Sequence, residues 1–145
     1  MFYDIPALIS VDDDCLPATT LAYVCYYYLF CACTSLTTTP KLPAMTLADS
    51  CYANMFLGCT SLTTAPTLPA TTLPTYCYYQ MFYTCTNLKI STTLTGIYDT
   101  AYRIPTAGTG TTATDALTNM FGYTGGTFKG TPSINTTYYT ENTPV

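Results

Sequence analysis

Cys51-Tyr52-Ala53-Asn54-Met55-Phe56-Leu57-Gly58-Cys59-Thr60-Ser61-Leu62 is the stretch on which the reading of this chain turns. The same frame stands 26 residues earlier at Cys25, Phe30, Cys33 and Leu36, and 26 residues later at Cys77, Phe82, Cys85 and Leu88. Working outward, Leu-Pro-Ala recurs at residues 16–18, 42–44 and 68–70, and Leu21, Leu47 and Leu73 keep the same register. Between these fixed points the sequence drifts: Tyr26-Tyr27-Tyr28 becomes Tyr52-Ala53-Asn54 and then Tyr78-Tyr79-Gln80. Large apolar groups and cysteines hold their places, so each copy offers the same inward set. One copy cannot bury that set alone, and neighbouring copies supply the core. The expected core columns are Cys25/Cys51/Cys77, Phe30/Phe56/Phe82, Cys33/Cys59/Cys85 and Leu36/Leu62/Leu88.

Within a copy, Cys51, Met55, Phe56 and Cys59 are spaced for one face of a short helix over 48–59. Thr60 to Ala65 has the β-branched content and brevity of a strand, stopped by Pro66. The expected fold class is therefore an α/β solenoid, about four coils of 26 residues, each with a short helix, a short strand and a proline-bounded connection. Residues 1–14 are expected to cap one end, 15–91 to hold three regular repeats, and 92–134 a degenerate fourth. In that fourth copy Met120-Phe121 falls 39 residues after Met81-Phe82, and the Gly- and Thr-rich run 106–112 is expected to loop out much of the insertion. Residues 135–145 are expected to form the tail and far cap.

The run Cys51-x-x-x-Met55-Phe56-x-x-Cys59-x-x-Leu62 resembles the BspA-like leucine-rich repeats. That family carries an apolar residue, Ala-Phe, Cys and Leu at the same relative spacing, in a somewhat shorter repeat. The resemblance covers roughly residues 15–90, with a worn copy to about 134, and uses methionine for the family's alanine. It implies a right-handed superhelix displayed on surfaces of bacteria, some protists and their phages, often in adhesion. The threonine-rich Leu-Pro-Ala-Thr-Thr-Leu form resembles proteins of gut Bacteroidales and their phages. The resemblance brings no catalytic residues.

Composition narrows the function further. Only 8% of residues are charged and 48% are hydrophobic, with a net charge of -4. Lys41, Lys89, Arg103 and Lys129 are scattered, whereas nucleic-acid binding rests on clustered cations. The apolar stretch from Leu21 to Cys33 is shorter than the ~20 residues of a membrane-spanning helix. No basic segment precedes an apolar one at the N-terminus, so no secretory signal is read; the sequence is then either a piece of a longer exported chain or, as slightly preferred, a virion protein released by lysis. Histidine is absent, removing the commonest general base and the usual partner of a cysteine nucleophile. The chain is read as no enzyme, needing no cofactor. Without a Cys-x-x-Cys pair the eight cysteines do not read as a metal site either. They are expected to be free, buried thiols acting as small apolar groups. Asp12-Asp13-Asp14 is expected to be a solvated acidic turn.

Two surfaces are left as binding candidates. Tyr26, Tyr27, Tyr28, Tyr52, Tyr78, Tyr79 and Tyr83 bracket the repeated apolar pair, and tyrosine gives rigid contact area with a polar tip. They either form a contact surface or merely shield the core and one another. Ser35, Thr37, Ser61, Thr63, Asn87 and Lys89 flank the inward leucines and form the alternative row, either a binding face or a solvated ladder. The expected role is a non-enzymatic adhesive or receptor-binding module, extracellular on a virion or cell surface, whose partner is a protein or glycan of a host surface. The alternative is a structural block of a fibre, filament or virion decoration, associating with its own copies or with other assembly proteins.

Overall fold

The computed structural model describes residues 2–141, and no α/β solenoid is found there. Among the described residues there is no helix, and the five strands are two to four residues long. β1 (Thr72–Leu73) pairs in parallel with β4 (Thr111–Thr112). β5 (Thr137–Thr140) lies between β2 (Ile90–Ser91) and β3 (Thr100–Arg103), antiparallel to both. Neither small sheet runs through the repeats, and the strand expected over 60–65 does not form. A leucine-rich-repeat superhelix with a helix in each coil is therefore not what this sequence builds.

Where helices were expected, the chain makes runs of overlapping turns at 23–32, 49–58, 75–84 and 114–123, here called the first to fourth layers. The reason lies in how the backbone N–H groups are shared. In an α-helix each would bond four residues back. Here every second one closes a turn three residues back, as in Cys25 to Ala22, Tyr27 to Val24 and Leu29 to Tyr26. The alternate ones leave the layer altogether: Tyr26 N–H donates to Cys51 C=O, Tyr52 to Cys77 and Tyr78 to Ala116. Five such columns, begun by Val24, Tyr26, Tyr28, Phe30 and Ala32, carry three interlayer bonds each, 2.7 to 3.4 Å long. All point from the first layer towards the fourth.

Chaining turns in this way needs a left-handed residue every fourth position, because the third residue of a type II turn has positive φ. These residues are Val24, Tyr28 and Ala32, then Ser50, Asn54 and Gly58, then Tyr76, Gln80 and Thr84, then Asp115, Asn119 and Tyr123. Glycine, asparagine and aspartate adopt that conformation readily, but the other side chains lose about 1–2 kcal/mol each. Burial offsets the cost. Phe30, Phe56, Phe82 and Phe121 are each 0% exposed and stack in file, with ring centroids 5.5, 5.4 and 5.7 Å apart and planes within 8°. Tyr26, Tyr52 and Tyr78 form a second file at 5.9 Å spacing. Leu36, Leu62 and Leu88 line the same core.

The cysteine columns differ from each other. Cys33 donates its thiol to Phe2 C=O at 2.8 Å, and Cys59 and Cys85 donate to Phe30 and Phe56 C=O at 3.0 Å. A cysteine suits this place because it is small, apolar and still a weak donor. Cys51 and Cys77 are buried, but Cys25, their counterpart in the first layer, is exposed.

The ends are closed unequally. At the start, Phe2 N–H bonds Leu29 C=O, Asp4 N–H bonds Cys31 C=O, and Ile9 C=O accepts from Thr37. Phe2 extends the aromatic file by stacking on Phe30 at 5.4 Å. At the finish, Gly125 and Gly126 lie flush against residues 86–90, where a methyl group on either would run into the Thr86 or Ile90 carbonyl. The chain then turns back over the fourth layer, with Phe121 and Gly130 exchanging both backbone bonds and Asn119 N–H reaching Thr131 Oγ1. The insertion is more ordered than a loop over 106–112 would make it. It carries β3, and its Tyr102 enters the core to donate to Pro66 C=O at 2.9 Å. Of the expected terminal segments, Met1 and residues 142–145 lie outside the described residues.

Candidate interaction surface

The structure divides the seven tyrosines singled out in the sequence. Tyr52 and Tyr78 are 1% exposed inside the core file and have no surface to offer. Tyr26, Tyr28, Tyr79 and Tyr83 are half-buried, and only Tyr27 is exposed. Tyr28 packs edge-on against Tyr27, and burial followed by the hydrogen bond with Tyr27 pushes its phenol up to about 12. Tyr79 sits edge-on to Tyr76, and Tyr83 to Tyr123, each at 5.3 Å. The three tyrosines most open to solvent, Tyr3, Tyr23 and Tyr123, are ones the sequence reading missed, and so is the exposed Tyr76. Their signal was variation among copies. Tyr23 becomes Asp49 and Thr75, and Val24 becomes Ser50 and Tyr76.

The alternative row is a structural ladder for much of its length. Thr37 gives both its N–H and its hydroxyl to Ile9 C=O, and Thr63 gives both to Thr37 C=O. Lys89 pairs with Glu141 at 3.9 Å. Ser35 and Ser61 are half-buried, leaving Thr37 and Asn87 as the exposed members. Asp12, Asp13 and Asp14 form an exposed turn in which Asp12 accepts from Asp14 N–H at 3.0 Å, and Asp14 faces Lys41 at 3.7 Å.

What the structure brings together is the uncovered half of the first layer. Residues 2–4 lie over its later half, the chain then runs on past it to Thr37, and 22–27 are left open. Cys25 is exposed there although Cys51 and Cys77 are fully buried, and Tyr26 is half-buried where Tyr52 and Tyr78 are covered. Tyr23 is 69% exposed, and Phe2, Tyr3, Ile5, Val24 and Tyr27 are exposed with it. One end of the molecule thus gathers half of the large exposed apolar and aromatic side chains among the described residues, an arrangement typical of interaction sites. Among the described residues, the carbonyls of Tyr23, Cys25 and Tyr27 receive no interlayer hydrogen bond, whereas their counterparts Asp49, Cys51 and Ala53 all do.

Electrostatics mark the same end. Cys15, near it, has its thiol raised by burial and then by Asp12 and Asp13. The Tyr26 phenol is raised by burial and then by neighbouring Cys25 and Cys15. The interior thiols are held protonated by burial: Cys51 is pushed up to about 11 and Cys59 to about 12, while Cys77 and Cys85 also rise. A thiolate is the reactive form, so these four groups are chemically quiet near neutrality. Compared with protein-family models, curated proteins and solved structures, the chain matches none of them.

Proposed function

We propose that this chain is a non-enzymatic interaction module of a cell or virion surface, engaging a protein or glycan through the open end of its first layer. The observation that carries this is the loss of cover over residues 22–27, with Tyr23, Tyr27 and Tyr3 exposed around them. Large rigid side chains with polar tips, held by an ordered scaffold, give contact area at low entropic cost. Few charges on the surface suit a protein that works within an assembly.

The fibre reading has less support from the ends. The tail returns over the fourth layer and takes up its Asn119 and Phe121 N–H groups, so a copy stacked end to end would meet only the Asp115 and Leu117 N–H groups of that edge. The test is binding of labelled protein to intact bacterial cells and to an immobilised glycan panel. A Tyr3→Ser/Tyr23→Ser/Tyr27→Ser triple variant is expected to bind at least tenfold more weakly, while Tyr76→Ser/Tyr123→Ser binds as the parent does. Equal loss in both variants, or no binding by the parent, overturns the proposal.

A further inference from the structure

Taking the open end as the working surface, the geometry points to its ligand: a basic polypeptide segment, wound as a chain of turns, that adds its alternate N–H groups to the Tyr23, Cys25 and Tyr27 carbonyls.

Three independent features of the end converge on this chemistry. The first is the edge itself. In the interior, residues two apart donate to carbonyls two apart, as Val24, Tyr26 and Tyr28 do to Asp49, Cys51 and Ala53. The chain's own start shows how a partner continues the pattern outside the first layer. Phe2 and Asp4 donate to Leu29 and Cys31 at 3.1 and 2.8 Å, and the Phe2 ring settles on Phe30. The next three acceptors in that row are Tyr27, Cys25 and Tyr23. Addition of a segment to a free backbone edge is a general mode of peptide recognition at sheet edges, and the same donor-to-acceptor pairing is available to this row of turns.

The second is polarity. Each interlayer column is a chain of peptide groups whose C=O faces the first layer's outer side and whose N–H faces the fourth layer. Aligned peptide dipoles leave partial negative charge at the end bearing free carbonyls, as at the C-terminus of a helix. An acceptor edge at a negative pole calls for donors and for positive charge.

The third is fixed charge. Asp4, Asp12, Asp13 and Asp14 all lie in the segment that frames this end, and Lys41, which approaches it, is paired with Asp14. Asp12 and Asp13 adjoin Cys15, which neighbours Tyr26. A second copy presenting the same end would bring acceptors against acceptors and acids against acids, which disfavours a symmetric pair. The side chains add shape: the uncovered Cys25 takes a small apolar group, and the open face of Tyr26 takes a ring, as Cys51 and Tyr52 meet Cys77 and Tyr78 inside.

The test uses the whole chain and a fluorescent synthetic peptide copying residues 73–80, with alanine for its cysteine and two lysines added in front. Binding is read by anisotropy at low and at moderate salt. The lysine peptide is expected to bind. N-methylation of its backbone at the positions copied from Tyr76 and Tyr78, which removes two donors, is expected to weaken it at least tenfold. Glutamates in place of the lysines are expected to weaken it severalfold at low salt, and Asp12→Asn/Asp13→Asn in the protein to erase most of that difference. No binding of the lysine peptide, or equal binding of the N-methylated one, overturns the edge. Equal binding of the acidic peptide overturns the charge preference. Self-association in sedimentation without peptide binding assigns the end to a second copy and also overturns the inference. Should the peptide fail while whole-chain binding to cells or glycans still depends on Tyr3, Tyr23 and Tyr27, the interaction module stands with a different ligand.

Discussion

Gly58 offers a substitution whose sign separates a chain of turns from a helix. Its φ is +76°, and it occupies the position held by Ala32, Thr84 and Tyr123 in the other layers. A methyl group added there stands 3.7 Å from Ala32 Cα, 3.8 Å from Ala32 N and 3.9 Å from Thr84 Oγ1, all ordinary contacts. Gly58→Ala therefore meets no clash, and the backbone alone sets the outcome. Holding an L-residue in the left-handed region costs about 1–2 kcal/mol. Restricting the unfolded chain returns about 0.4–1 kcal/mol. The expected net loss is about 1 kcal/mol, or a melting point lower by about 3 °C for a chain of this size. In a helix the same change would be a gain of about 1 kcal/mol. Gln80→Gly is the reciprocal experiment. Gln80 has φ of +49°, so glycine relieves strain and is expected to stabilise by about 0.5–1 kcal/mol, where a helix would lose about 1. Urea unfolding at unchanged m-value measures both. Stabilisation by Gly58→Ala together with destabilisation by Gln80→Gly would refute the layered turns.

Three further outcomes follow from the core. Phe56 is fully buried between two stacked rings, so Phe56→Ala is expected to cost about 3–5 kcal/mol in urea unfolding, and a loss below about 1 kcal/mol would deny the aromatic file. Cys15 and Cys25 are the exposed thiols, so a thiol reagent is expected to label these two rapidly and the other six only after denaturation; rapid labelling of Cys59 or Cys85 would contradict the packing. Burial raises Cys51 from 9.0 to about 11 and Cys59 from 9.0 to about 12, so their contribution is complete below pH 9 and is lost as pH climbs towards the folded values. Each thiol then removes about 1.4 kcal/mol per pH unit. The melting point is expected to be flat near neutrality and to fall steeply above pH 9, and a flat profile to pH 10.5 would contradict it.

The side chains that face inward were legible because they repeat. Phe30, Phe56 and Phe82 could be picked out without coordinates, and the rule that found them also fits Tyr26, Tyr52 and Tyr78. Those tyrosines recur at every copy, yet their polar tips argued for the surface, and two of them are core. The backbone was less legible. The spacing of Cys51, Met55, Phe56 and Cys59 serves a helix face and a chain of turns equally, because both return a side chain to the same side about every fourth residue. What distinguishes them is a left-handed residue at fixed intervals, and Asn54 with Gly58 four positions on was the visible trace. Valine, tyrosine, glutamine and threonine at the equivalent places hid it, since nothing in those side chains announces positive φ. The open end was invisible for another reason. Cys25 and Cys51 are the same residue in the same frame, and only the absence of a neighbouring layer exposes one of them.

Because the first three layers bond to one another through backbone groups placed by a 26-residue frame, and the third bonds to the fourth in the same way across a longer insertion, the joint is indifferent to most of the side chains that vary. Duplicating one frame in the gene adds one storey of about 5.5 Å and leaves both terminal structures as they were. Such a molecule can set the height at which it presents its working end by copy number alone, like a spacer cut to length, while the residues that do the recognising evolve separately.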